Sequence, residues 1–344
     1  MTGMHKRQPL ELTRQQILTH RRDANGLLRR LPPGAAAVRR AALAGLQDSM
    51  PRAAVLSLHA RVTGTTPEAW SHSSLVQLWG PRFSAYAVAA EDRAIFSLGR
   101  LPAGGAQRRR AEDLAGRLHQ WLDGRAMPYS EAGRGMGVAP NSLRYAAATG
   151  TVLIRWDGAE RPTVRTVERP AIDPAQARLE LARRHLHVFG PSTAEGFAAW
   201  AGIAKAEALA AHKALAPGLI PVRTPLGDAW ILAEQEAGFR ADAGPADGVR
   251  LLPSGDAYFL LQGADRELLV PEADRRAALW TSRVWPGAVM LDGELVGTWR
   301  RAGRDVTVQP WQPMSSAERD AVTAEAQSLP LPGAANRTRV HWVA

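Results

Sequence analysis

Apolar residues recur along this chain with helical spacing, and short interruptions divide the pattern into segments that repeat an order of elements. Thr13 is placed to cap a first helix, RQQILTHRRD. After the breaker Leu31-Pro32-Pro33-Gly34, AAAVRRAALAGLQ sets Val38, Ala42 and Leu46 four residues apart, which predicts a second helix over 35–47 with Arg39 and Arg40 turned away from the apolar stripe. A third helix, AAVLSLHARV, runs to Gly64. Then LVQLWGPRFSAYAVA is rich in β-formers around Gly80-Pro81, which predicts two strands with Arg82 in the turn. Helices followed by a hairpin are the order of a winged helix.

That order returns twice. RRRAEDLAGRLHQWL, PYSEAGRGMG and SLRYAAAT are helical, and TVLIRWDGAERPTVRTV reads as a hairpin about Asp157-Gly158. Asn141, Arg144 and Tyr145 open the last of those helices, the one that enters a major groove in the usual docking of this motif. Next, PAQARLELARRHLHVF, a short helix capped in the Ser192-Thr193-Ala194-Glu195 stretch, a helix from Lys205 to Leu215 and a hairpin about Gly227-Asp228 complete a third unit. The last hundred residues change character. LLPSGDAYFLLQ, WPGAVMLDGELVGTWRR and DVTVQPW are β-rich, with helices at 271–280 and 315–329 and a last strand RVHWV. The expected fold is therefore α+β and mainly helical, with three tandem winged-helix units at 1–104, 105–172 and 173–238 and a C-terminal β-rich module, a partial barrel, at 239–344.

Composition narrows the function. The 344 residues carry 43 Lys+Arg against 33 Asp+Glu, a formal charge of +10 built almost wholly from arginine. Arginine forks match phosphate and stack on bases, so a polyanion is the expected partner. There is no cysteine, which excludes disulfides and thiolate metal sites. His185 and His187 stand two apart on one helix and point in different directions, a poor metal pair, so neither metal nor cofactor is expected. No apolar run approaches the roughly 20 residues of a membrane span, and the chain reads as a cytoplasmic monomer. Phosphate loops, HExxH-type metal motifs and nucleophile elbows are absent from the sequence. Of 11 tryptophans, most, including Trp121, Trp200 and Trp230, sit in apolar periodic contexts that predict core, whereas Trp79 beside Gly80-Pro81-Arg82 is a candidate stacking surface.

The segment GLQDSMPR, 45–52, is the candidate working site. Gln47, Asp48 and Ser49 form a polar cluster between apolar segments, suited to holding a water, and Arg52 adds a fork for phosphate. Read locally, the same residues make a capped helix end. Arg300 and Arg301, with Arg304, flank a C-terminal hairpin and read either as a solvated turn or as a phosphate-binding edge.

Taken together, LTRQQIL, GLQDSMPRAAVLSLHARV, LARRHLHVFGPSTAEGFAAWAGI, LLPSGDAYFLLQGADRELLVPEADRR and GELVGTWRR resemble the winged-helix DNA-binding family to which the AlkZ and YcaQ DNA glycosylases belong. The likeness runs nearly the whole length. It implies double-stranded DNA as partner, and hydrolysis of the N-glycosidic bond of alkylated or crosslinked purines in DNA repair. The family's catalytic motif, Q-x-Q or Q-x-D, falls on Gln47-Asp48-Ser49, where Gln47 fills the first position and Ser49 replaces the second amide or carboxylate. Arg52 and Arg82 would hold neighbouring phosphates. The alternative is a winged-helix protein without chemistry, a regulator or lesion binder, which the serine favours; a self-resistance role is a third possibility.

Overall fold

A computed structural model describes residues 10–50, 52–156, 161–241, 246, 248–332 and 338–343. It is a mixed α+β fold in which helices cover three open sheets. The 174–232 segment keeps its expected order. Asp173 caps the Pro174–Phe189 helix through bonds from the amides of Ala175 and Gln176, and Thr193 caps Ala194–Ala201, which ends on left-handed Gly202. Lys205–Leu215 and the hairpin of Leu219–Thr224 with Gly227–Leu232 follow. To that hairpin the chain adds its own beginning, because Leu10–Glu11 pairs in parallel with Leu219–Thr224. The Arg14–Ala24 helix, opened by a Thr13/Gln16 capping box, then packs on the same segment, with His20 stacked on Phe239 at 3.7 Å.

One six-stranded antiparallel sheet spans residues 46–166. Its order is Leu46–Gln47, Ala85–Ala89, Leu75–Trp79, Val152–Arg155, Thr163–Thr166 and Met127–Pro128. The two hairpins of the first and second expected units thus join edge to edge, through the pairing of Gln77 with Ile154. The expected tip at Asp157-Gly158 lies outside the described residues.

Several elements depart from expectation for local reasons. The helix expected over 35–47 stops at Ala41. Gly45 takes a φ of +73°, and a Cβ there would lie 2.8 Å from the Tyr86 ring, so the chain turns under Tyr86 and continues as the Leu46–Gln47 strand. The 142–149 helix is a 3-10 run, Pro140–Thr149. Of LLPSGDAYFLLQ only the start is strand: Pro253 and Gly255 end Val249–Leu252, and Ala257–Phe259 forms a buried 3-10 turn. The C-terminal sheet, Val249–Leu252, Gly287–Leu291, Glu294–Ala302, Asp305–Pro310 and Arg339–Trp342, is open rather than a partial barrel. Its ends stay apart, and the Ser316–Gln327 helix covers it by packing Val322 and Ala326 on Val289, Val306 and Val308. Finally, Trp121 and Trp230 are 43% and 39% exposed, not core, whereas Trp200 is buried. Alternation along Gly227–Leu232 sends Ala229 and Ile231 inward and Trp230 out.

Candidate functional site

Gln47 stands on the short edge strand opposite Tyr86, half-buried, and its carboxamide is held by side chains. Its Nε2 donates to Ser49 Oγ at 3.3 Å, and the Tyr86 hydroxyl donates to its Oε1 at 3.5 Å. Burial pushes the Tyr86 hydroxyl up to about 12, so it remains a donor, and the Arg82 guanidinium bonds to its oxygen. Ser49, Gln47 and Arg82 are therefore joined in one hydrogen-bonded chain through Tyr86. Arg82 and Phe83 both hold positive φ values, 53° and 57°, as does Arg52 at 67°. Left-handed backbone at such residues costs roughly 1–2 kcal/mol each, so the surrounding packing must hold these turns.

Asp48 faces the other way. It is 1% exposed, with one oxygen accepting from the Ala54 amide at 3.0 Å and the other from Gln77 Nε2. Gln77 is itself oriented by the Trp156 amide, which donates to its Oε1 at 2.6 Å. Burial raises the Asp48 carboxyl to about 6, while the Ala54 amide, Gln77 and the nearby Arg52 pull it back down. At neutral pH it is an ionised acceptor that fixes the turn and caps the Ala53–His59 helix. Both its oxygens are engaged inside the protein.

Beneath the turn a second loop arrives from the C-terminal module. Gly255, at φ +75°, lies so close to Gln47 that a Cβ there would stand 3.0 Å from the Gln47 Nε2. Its neighbour Asp256 is fully buried. Arg61 clamps both carboxylate oxygens at 2.7 Å, Ser57 donates at 2.6 Å and the Tyr258 amide at 3.0 Å. Arg61 and Ser57 follow the candidate segment directly in sequence. The ion pair thus ties the 253–256 loop to the element that carries Gln47.

The turn separates two cavities. On one side Ser49 lines a cavity of about 320 Å³ that also includes Trp79 and Arg144. On the other, Met50 and Ala53 line one of about 260 Å³ with Trp299, Arg300 and Arg301. Trp79 is 4% exposed, so its ring forms cavity wall rather than an open surface, and its carbonyl accepts from buried Arg100 at 2.9 Å. Asn141 is exposed on the Pro140–Thr149 run. Arg300 and Arg301 are exposed on Glu294–Ala302, donating to the carbonyls of Val284 and Gly303. Arg39 is engaged elsewhere: its guanidinium bridges Glu91 at 2.9 Å and Asp92 at 3.0 Å, and Arg184 also binds Asp92. His59 bonds Ser328 and is lowered to about 4 by burial, His185 sits among Phe189, Phe197 and Trp200, and His187 bonds Gln235.

Gln77, Tyr86, Gly255 and the Arg61–Asp256 pair were not singled out from the sequence. One signal was available. Gln77 is a polar residue facing inward in the apolar strand LVQLW, a position that demands a partner.

Comparison with known proteins bears on the fold and the family. The solved structure of the Streptomyces sahachiroi DNA glycosylase AlkZ superposes with a TM-score of 0.77, covering 97% of this chain and all of that one, at 19% identity, and so shares the fold. An interstrand DNA cross-link repair glycosylase of the same organism is 29% identical over 178 residues, half of this chain and 47% of that protein. Residues 38–330, which include every element of the turn and both loops, match the model of the DNA glycosylase AlkZ-like family, and the chain belongs to that family.

Proposed function

We propose that this chain is a monofunctional DNA glycosylase that hydrolyses the N-glycosidic bond of alkylated or crosslinked purines in double-stranded DNA, acting as a monomer. The observation that carries the reading is the state of Gln47: half-buried, held by the side chains of Ser49 and Tyr86 rather than by backbone, with Ser49 itself lining a cavity. An alkylated purine already bears positive charge, so it leaves without protonation. What the protein must supply is a positioned water and stabilisation of an oxocarbenium-like sugar. Gln47 Oε1 keeps a lone pair for that water. Ser49 Oγ, accepting from Gln47, has its own proton free to donate. As the water oxygen bonds to C1′, the C1′–N bond breaks, its electron pair neutralises the purine, and the water's proton passes to solvent. Asp48 acts from below by holding the turn and by its negative charge.

We read the protein as three tandem winged-helix units, 1–104, 105–172 and 173–238, with a C-terminal module at 239–344. Arg52, Arg82, Asn141, Arg144, Arg300 and Arg301 supply the DNA contacts, Arg39 being held by its acidic partners. The cross-link repair named for the Streptomyces relative makes a crosslinked or bulky adduct the favoured substrate class. Duplex containing N7-methylguanine tests the chemistry. Base release above the spontaneous rate is expected, and Gln47→Ala should lower it by about 10²–10³, the usual effect of removing one positioned polar group. Equal release by both proteins, at the spontaneous rate, would falsify the enzyme reading. It would leave the lesion binder, which Ser49 in place of an amide or carboxylate favours.

A further inference from the structure

We propose that the cavity on the Met50 side of the turn receives a flat apolar substituent carried by the modified purine, and so selects bulky adducts over a methyl group; the proposal rests on the glycosylase reading and names where the bulk of its substrate is held. The cavity opens at the seam between the Ala53–His59 helix and the C-terminal sheet. Ala53 and Leu56 come from the helix, Pro253 from the 253–256 loop, and Trp285, Pro286 and Trp299 from the sheet and the segment leading into it. Its volume is about 260 Å³, less than a pocket for a whole drug-sized ligand. An apolar cavity of roughly 150 Å³ already accepts a benzene ring, so one ring of an adduct fits here.

Gln47 stands outside this cavity, but both of its loop contacts lead into it. Gln47 bonds Ser49, and the next residue, Met50, lines the cavity; Gly255 presses on the Gln47 amide, and the preceding residue, Ser254, lines it too. A purine whose glycosidic bond is presented to Gln47 therefore has the cavity one residue away along either loop. Two apolar side chains at this place face water, Met50 at 41% and Val284 at 50% exposure. Val284 is not outward through slack. Its carbonyl accepts from Thr281 Oγ1 and from Arg300 Nη2, both at 3.0 Å. The wall is equally fixed: Trp285 lies under the Arg266 guanidinium at 5.2 Å, Trp299 Nε1 donates to the Leu252 carbonyl at 2.8 Å, and Gly287 leaves no room for a Cβ against that indole. A preformed apolar surface gains by being covered and loses little to ordering. Arg300 and Arg301 are the charged lining residues, both exposed. They match the phosphodiester that flanks an adduct, while the apolar interior matches the adduct itself.

Two duplexes test it, one with N7-methylguanine and one with N7-benzylguanine, each modified nucleoside carrying a 2′-fluorine that resists cleavage. The readout is the ratio of affinities, benzyl over methyl, for wild type, Met50→Gln, Val284→Gln and the double variant. Both side chains are exposed, so the substitutions leave the core intact, and thermal melting verifies it. Wild type should prefer the benzyl duplex by about tenfold, the low end of what burying an aromatic ring contributes. Each single variant should lower that ratio, and the double variant should bring it close to one. No benzyl preference in wild type overturns the proposal, as does a preference that survives in the double variant. Equal weakening on both duplexes, with the ratio unchanged, overturns it as well, because Met50 and Val284 then touch the duplex and not the substituent. Base release from ordinary N7-methylguanine duplex is scored separately on wild type, so failure of the cavity and failure of the glycosylase reading give different results.

Discussion

Two carboxylates, Asp48 and Asp256, are sunk to 1% and 0% exposure in loops that meet at Gln47, and they are held in opposite ways. Asp256 has a full counter-charge, with Arg61 on both oxygens and Ser57 and the Tyr258 amide completing its bonds. Asp48 accepts from neutral donors, Gln77 and the Ala54 amide, with Arg52 as a lesser electrostatic influence, and burial lifts it to about 6. The difference separates two tasks. A buried ion pair fixes its loop over a wide pH range, because removing one partner strands the other charge in a low-dielectric site. A buried carboxylate on neutral donors fixes its turn only while ionised.

Asp256→Ala should give the largest effect, a loss of about 3–5 kcal/mol in unfolding free energy, since Arg61 would remain buried without its partner. Denaturant melts would measure it, and a loss under 1 kcal/mol would mean that the two loops are not locked by this pair. Asp48→Asn comes next. The asparagine offers one acceptor where two donors point, so a loss on the order of 1–3 kcal/mol is expected at pH 7.

The pH dependence sharpens the contrast. Because the folded-state value of Asp48 lies above the ordinary carboxylate value, the folded protein binds this proton more tightly than the unfolded chain. Asp48 therefore destabilises in full above pH 6, and that penalty fades as pH falls from about 6 toward 4. On acidification over that window wild type should gain stability relative to Asp48→Asn, so their melting temperatures should move further apart from this term, and convergence would contradict the assignment. Base release should nevertheless decline below pH 6, since a protonated Asp48 can no longer accept from both donors.

Gly255→Ala is the smallest change with the most specific target. A Cβ at φ +75° and 3.0 Å from Gln47 Nε2 should cost about 1 kcal/mol in stability. It should also lower base release several-fold by displacing the Gln47 amide. Unaltered turnover would show that the 253–256 loop does not set the position of Gln47.

What was legible in the chain followed the reach of its interactions. The 174–232 segment was readable because its signals are local: Asp173 and Thr193 cap within three residues, and Gly202 ends a helix by its own φ. The 35–47 helix was misread because its periodic apolar residues extend past the point where Tyr86, 41 positions from Gly45, dictates a turn. Gln47 and Ser49 were identifiable as a polar pair two residues apart. The partners of the candidate site were not, since Asp48 meets Gln77 at a separation of 29 residues, Gln47 meets Tyr86 at 39, and Arg61 meets Asp256 at 195.

The sequence by itself determined the order of helices and hairpins in the third segment, the arginine-rich charge and the identity of Gln47 and Ser49, because propensity, capping and composition act over a few residues. Only the tertiary structure decided that Asp48 turns inward while Gln47 meets Ser49 and Tyr86, that two hairpins join through Gln77, and that a loop about two hundred residues away presses glycine against the Gln47 amide. Those outcomes depend on desolvation and on charges meeting across the fold, and neither is encoded in any local stretch of the chain.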